Sequence, residues 1–297
     1  MIVSHFSTMG VAILVVAIVA ATINRRRIGR VVERDYVATR AIGADGVVQG
    51  AEGFTLAGTS GRGLLLLHGS GDTPQSLRYL ASRFHLAGYS VHVPLLPGHG
   101  RSPRAFAHAT SVQYLDAARD ALQRLRESST WVGVVGLSMG GALSVQIAST
   151  SVHVRVLVLL APYLITPETV RVGVRTSWLW SLFAPYLRGG GDTSVHDIAA
   201  RLASHAYGTF SAGALRALDE TAVAGRRALS RLSLPVLVIN SEQDNRIPRA
   251  LAQQALHEIH APVEEQWVTG CGHVITVDYC KDVVASLVLT FLARHAE

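Results

Sequence analysis

Lysine is almost missing from this chain of 297 residues: Lys281 is the only one, and arginine carries the rest of the basic charge. That bias points to a GC-rich genome and carries no mechanism. Cysteine is as scarce, with only Cys271 and Cys280. Two cysteines cannot build a disulfide framework; one bridge stays open, while in a cytoplasmic domain both are expected to stay reduced. The 13 histidines form no H-x-x-x-H pair and no Cys/His cluster, so neither a metal centre nor a cofactor is expected. Lys, Arg, Asp and Glu are absent from Met1 to Ile23, and the run from Val11 to Ala20 is wholly apolar. About 22 helical residues span about 33 Å, enough for the hydrocarbon core of a bilayer.

A cleaved secretory signal and a buried core helix are the competing readings of that stretch. A signal carries its positive charge ahead of the apolar region, whereas Arg25, Arg26, Arg27 and Arg30 follow it here. The expectation is therefore a transmembrane anchor over residues 1–23 and a basic juxtamembrane linker over 24–42. The remaining domain is then placed on the cytoplasmic side. The formal charge of +6 includes those four arginines, and without them about +2 remains, too little to indicate nucleic acid. The arginine cluster suits anionic lipid head groups. No protein partner is indicated.

From residue 64 the text becomes regular. Leu64–Leu67, Ser90–Leu96, Trp131–Val135, Val154–Leu160, Val236–Asn240 and Glu264–Val268 read as strands. Helices are expected over 74–87, 112–127, 141–150, 249–259 and 278–295, while residues 43–63 support at most one or two weak edge strands. This alternation implies an α/β fold with a mostly parallel sheet and helices on both faces. One domain over residues 43–297 is expected, interrupted by an insertion over about 164–232. The insertion opens with an aromatic-rich stretch that contains Trp178, Trp180 and Phe183 and ends at Gly189-Gly190-Gly191. Those three aromatics either pack on the core or belong to a small helical cap that binds substrate.

Gly136-Leu137-Ser138-Met139-Gly140 lies where a buried strand meets a helix. A serine on so sharp a turn is strained and exposed, and the glycines are needed where side chains would clash. A serine hydroxyl is a weak nucleophile unless a base activates it and a carboxylate orients that base. Asp244 follows the strand ending at Asn240, and His273 follows the last strand, both at the sheet edge where Ser138 emerges. Glu242, Asp192, Asp197 and Asp219 are weaker choices for the acid because of their positions. For the base, His99 sits in a turn and His257 and His260 at a helix end. The oxyanion of a tetrahedral intermediate would be met by the backbone amides of Met139 and Ser70.

Together, Leu67-His68-Gly69, Asp72-Thr73-Pro74-Gln75-Ser76, Pro97-Gly98-His99-Gly100, the pentapeptide with Gly141, Asp244 with Ile247-Pro248, and the run from Gly272 to Asp278 resemble the α/β-hydrolase superfamily. Within it the chain is similar to small bacterial carboxylesterases and monoacylglycerol lipases, over roughly residues 43–296. The resemblance implies a triad of Ser138, Asp244 and His273, oxyanion amides at Ser70 and Met139, and a sheet that can lack the usual first strands. Ser70 stands where such enzymes often carry a bulky apolar residue, and the N-terminal apolar helix lies outside the family pattern. The expected activity is hydrolysis of small carboxylic esters or acyl lipids through an acyl-enzyme. Thioesterases and acyltransferases use the same triad, and an inactive membrane-tethered binding protein is the alternative of another class. Dehalogenases and epoxide hydrolases place a carboxylate where Ser138 stands.

Overall fold

The computed structural model describes residues 2–189 and 193–296, with the side chains of residues 2–8, 10 and 14 left aside. In chain order the strands are β1 (Phe54–Leu56), β2 (Arg62–Leu67), β3 (Ser90–Val93), β4 (Trp131–Leu137), β5 (Val154–Leu160), β6 (Leu187–Arg188), β7 (Thr209–Phe210), β8 (Val236–Ser241) and β9 (Val263–Val268). Seven of them form one sheet in the order β1-β3-β2-β4-β5-β8-β9, while β6 and β7 pair separately. Only β1 runs antiparallel in the main sheet. The strand expected to reach Leu96 stops at Val93, because Pro94 cannot donate to a ladder.

The helices are α1 (Ile2–Ala38), α2 (Arg78–Leu86), α3 (Pro103–His108), α4 (Ser111–Glu127), α5 (Met139–Ala148), α6 (Glu168–Arg175), α7 (Ser177–Trp180), α8 (Ile198–Leu202), α9 (Ala212–Ala228), α10 (Arg249–Leu256) and α11 (Lys281–Arg294). Alternation along each strand sends successive side chains to opposite faces. Leu65, Leu67, Val134, Leu157 and Val238 meet α4, α5, α9 and α10 on one side. Leu64, Leu66, Val135, Val158 and Ile239 meet α2 and α11 on the other. Every residue of β4 is buried, and each such aliphatic side chain contributes roughly 1.5–3 kcal/mol. α4 starts at a capping box in which Thr110 and Gln113 satisfy each other's backbone N–H groups, and it turns Tyr114, Ala118, Ala121, Leu122 and Leu125 inward.

The insertion does not form one cap. Its C-terminal helix, α9, is part of the core: Ala217, Leu218 and Ala222 are buried in the sheet-covering cluster. A Cβ on Gly225 would come within 2.8 Å of the Ala142 carbonyl oxygen on α5, so the two helices approach closely there. The cap is therefore shorter than the expected 164–232 and is built from α6, α7, α8 and the β6–β7 pair. Residues 190–192, including Gly190, Gly191 and the alternative acid Asp192, lie outside the described residues.

The segment expected as a linker over 24–42 is helical to Ala38, as a continuation of α1. Only the C-terminal end of α1 docks on the domain. There Tyr36 is buried and stacks on Tyr207 with ring centroids 5.1 Å apart, and the Tyr186 hydroxyl donates to Glu33 at 3.0 Å. The anchor expected over 1–23 falls partly on side chains outside the description, and among the described residues no helix is long and apolar enough to cross a membrane.

Candidate active site

Ser138 sits between β4 and α5 with φ 54° and ψ −117°. An L-residue held there carries a strain of about 1–3 kcal/mol. Four backbone hydrogen bonds hold it: its N–H donates to the Leu160 carbonyl at 2.9 Å, and its carbonyl accepts from Gly141 at 2.9 Å, Tyr163 at 3.0 Å and Ala142 at 3.4 Å. The flanking glycines are required by contact. A Cβ on Gly136 would lie 2.3 Å from the Gly140 carbonyl oxygen, and one on Gly140 would lie 2.1 Å from that of Leu67.

The loops after β8 and β9 bring Asp244 and His273 to this turn. His273 Nε2 lies 2.8 Å from Ser138 Oγ, and His273 Nδ1 lies 2.7 Å from Asp244 Oδ2. With Nδ1–H pointing at the carboxylate, Nε2 is the acceptor for the serine hydroxyl. The other Asp244 oxygen accepts from the backbone N–H groups of Arg246 at 2.7 Å and Ile247 at 2.9 Å. Burial works against the Asp244 charge, but the His273 ring and those amides outweigh it and hold the carboxyl below its usual range.

The loop after β2 passes directly over the serine. A Cβ on Gly69 would lie 3.3 Å from Ser138 Cβ, so the loop can approach this closely only without a side chain. Two buried histidines brace it. His99 Nε2 accepts from the Gly71 N–H at 3.1 Å, and His68 Nε2 accepts from the Leu96 N–H at 3.1 Å while its Nδ1 lies 2.9 Å from the Gly69 carbonyl oxygen. Burial pushes His68 down to about 4 against the pull of that carbonyl bond, so its ring is neutral. Because His99 occupies the Gly71 N–H, the N–H groups of Ser70 and Met139 are the ones left to face an incoming oxygen; neither bonds another backbone group among the described loops. Asp72, at the end of this loop, accepts from Thr73 N–H at 2.7 Å and from Ser76 Oγ at 2.5 Å. Burial pushes its carboxyl up to about 6 despite those bonds.

The His273 loop is fastened from below by Asp278, a fully buried carboxylate that accepts from the backbone N–H groups of His196, Asp197, Gly272 and Tyr279 at 2.8–2.9 Å. Burial opposes this charge, and the four amides reverse the effect and lower the pKa. Asp278 thus ties the histidine loop to the start of α8. The resemblance includes this residue in a motif, but no spacing rule assigns it that role, because its partners are backbone amides from a distant segment. The two cysteines correct a further expectation. Cys271 and Cys280 flank this loop with Cα atoms 5.8 Å apart and are joined in a disulfide. The bond closes the loop that carries His273.

Ser138, His273, Gly69, Ser70 and Asp72 open on a cavity of about 740 Å³ between the sheet edge and the cap. Trp178, Trp180 and Phe183 do not line it. Trp178 is 70% and Phe183 58% exposed on the outer surface of the cap, and Trp180 turns back to donate from its indole N–H to the Gly173 carbonyl at 2.8 Å. The apolar wall comes instead from Val170, Val195, Phe210, Leu215 and Leu218. The aromatic-rich stretch is visible in the sequence, but which way the cap lays it is not. No group of three or more His, Cys, Asp or Glu side chains is placed to hold a metal ion among the described residues.

A model of the alpha/beta hydrolase family matches residues 64–287. The chain is 27% identical over 258 residues to the thermostable monoacylglycerol lipase of Bacillus sp. (strain H-257), covering 84% of this chain and 97% of the relative. It is 24% identical over 243 residues to the carboxylesterase of Bacillus subtilis (strain 168), covering 81% and 96%. A solved structure from work on the metagenome-derived lipolytic enzymes LipS and LipT superposes with a TM-score of 0.76 at 27% identity, covering 84% of this chain and all of its own.

Proposed function

The chain belongs to the α/β-hydrolase family and is an ester-hydrolysing enzyme, and we propose that it works through an acyl-enzyme formed on Ser138. The observation that carries this reading is the unbroken hydrogen-bonded line Ser138–His273–Asp244 opening on the cavity. Ser138 Oγ attacks the ester carbonyl as His273 Nε2 takes its proton. Asp244, already ionised, holds the ring and stabilises the imidazolium. The Ser70 and Met139 N–H groups meet the developing oxyanion, where a preorganised donor contributes about 3 kcal/mol. His273 then protonates the departing alcohol, and a water molecule repeats the sequence to release the acid.

The substrates proposed are monoacylglycerols or similar esters of short-to-medium acyl chains, supported by the apolar wall and by the names of the relatives. Ser138→Ala should abolish turnover of p-nitrophenyl esters, and a fluorophosphonate probe should label Ser138; an alanine variant of unchanged activity contradicts the reading. A series of monoacylglycerols, esters and thioesters of increasing chain length identifies the preferred acyl group.

The N-terminal stretch is proposed as a membrane anchor, with no side of the membrane assigned to the domain. Its support is the absence of charged residues up to Ile23 and the outward display of Val11, Ile13, Val15, Val16, Ile18, Val19 and Ile23, each more than half exposed. A helix that is apolar on all sides has no stable place in water. If a chain lacking residues 1–30 fractionates like the full chain, the anchor reading fails.

A further inference from the structure

The apolar cavity contains an unbalanced charge. Arg246, two residues beyond Asp244, lines the cavity and is partly buried. Its Nε donates to Ser194 Oγ at 2.9 Å, and among the described residues it forms no ion pair. The Asp244 charge acts on it, but both Asp244 carboxylate oxygens are hydrogen-bonded elsewhere, to His273 and to the backbone N–H groups of Arg246 and Ile247. Burial works against the Arg246 charge, and the Asp244 and Tyr163 side chains offset this only in part. A partly buried guanidinium without an ion-pair partner is costly. A purely structural link to Ser194 needs a hydroxyl donor or an amide, and not an arginine.

A second donor stands beside it. Tyr163, which follows the nucleophile turn in space and donates its N–H to the Ser138 carbonyl, also lines the cavity. Its buried hydroxyl is turned towards the Thr166 side chain, and the charges of Asp219 and Arg246 act on it in opposite directions. Arg188, on β6, adds a further guanidinium to the wall. Among the described residues the one carboxylate lining the cavity is Asp72, in the loop over Ser138, where it is occupied by Thr73 and Ser76.

We propose that Arg246, beside Tyr163 in the cavity wall, forms an anion subsite, so that the preferred esters carry a free carboxylate away from the ester bond. A guanidinium matches a carboxylate with two parallel hydrogen bonds, and a bound anion supplies the ion-pair partner that Arg246 lacks among the described residues. The inference rests on the ester-hydrolase reading above and narrows its substrate class.

The test uses the full-length enzyme at low ionic strength and three sets of esters: monoethyl esters of dicarboxylic acids of increasing length, butyrate esters of ω-hydroxy acids, and neutral ethyl alkanoates of matched length. The first two place the carboxylate on the acyl and on the alcohol half. One of them should exceed its neutral match at least tenfold in kcat/KM. That ratio should fall at least tenfold in Arg246→Met and recover in part in Arg246→Lys, which keeps the charge. Free suberate should inhibit the wild-type enzyme competitively and the methionine variant more weakly. Neutral esters turned over as well as both anionic sets by the wild-type enzyme, or a ratio unchanged in Arg246→Met, overturn the subsite and leave the hydrolase reading intact. A wild-type enzyme that turns over no ester sinks both.

Discussion

The sheet edge and the cap are built by different rules. Around Ser138 the backbone is fixed by contact: Gly69, Gly136 and Gly140 sit where a single carbon would collide with or crowd its neighbours, and the serine, His99, His68 and Asp278 each anchor a loop through backbone hydrogen bonds. The cap is made of short pieces, with α7 spanning Ser177–Trp180 and two-residue strands, and it leaves Trp178, Leu179, Leu182 and Phe183 substantially exposed. One region fixes where the chemistry happens; the other sets the walls around it. Substitutions should therefore be severe at the edge and mild on the outer face of the cap.

The largest effect is expected for Gly140→Ala. Its Cβ would fall 2.1 Å from a backbone oxygen that cannot move without breaking β2, so the loss should be about 3 kcal/mol or more, read from urea unfolding. A variant as stable as the wild type would show that the close approach of α5 to β2 is not required.

A smaller effect is expected at Asp72, where the edge meets the cavity. Its carboxyl is pushed up to about 6 from 3.8, mainly by burial. Between those values the unfolded chain loses the proton while the folded one keeps it, so this group's contribution to stability falls as pH rises and the penalty is complete above about 6. Asp72→Asn should remove that slope and add about 1 kcal/mol at pH 8, a figure reduced because the residue keeps partial contact with solvent. Unfolding curves at pH 4, 6 and 8 that keep the wild-type slope would contradict this.

Trp178→Ala and Phe183→Ala should have the smallest effect, within about 0.5 kcal/mol in stability, with kcat/KM for a soluble p-nitrophenyl ester changed by less than about twofold. A tenfold loss of kcat/KM would mean that these side chains reach the acyl chain after all, and would erase the contrast between the two regions.

That contrast also explains what could be read in advance. The strands and the placing of Ser138, Asp244 and His273 follow from local rules, namely apolar runs, glycine spacing and loops at strand ends, and each of these lies within a few residues of its cause. The clamp of Asp278 on the start of α8 and the bracing by His68 and His99 depend on segments far apart in the chain, which no local pattern specifies. The direction of α7 was lost for the same reason, since an exposed and an inward aromatic stripe read alike at 3.6-residue spacing. The assignment of α9 to the core depended on small residues, Gly225 facing Ala142, which carry little hydropathy signal.

The central claim, that Ser138 is acylated by the ester, is tested most directly by mixing the enzyme with p-nitrophenyl butyrate, quenching in acid within the first turnover and mapping the acyl mass by peptide mass spectrometry. The account predicts one butyryl group on the peptide containing Ser138 and none in Ser138→Ala. A butyryl group on another residue, or wild-type turnover by the alanine variant, would contradict it.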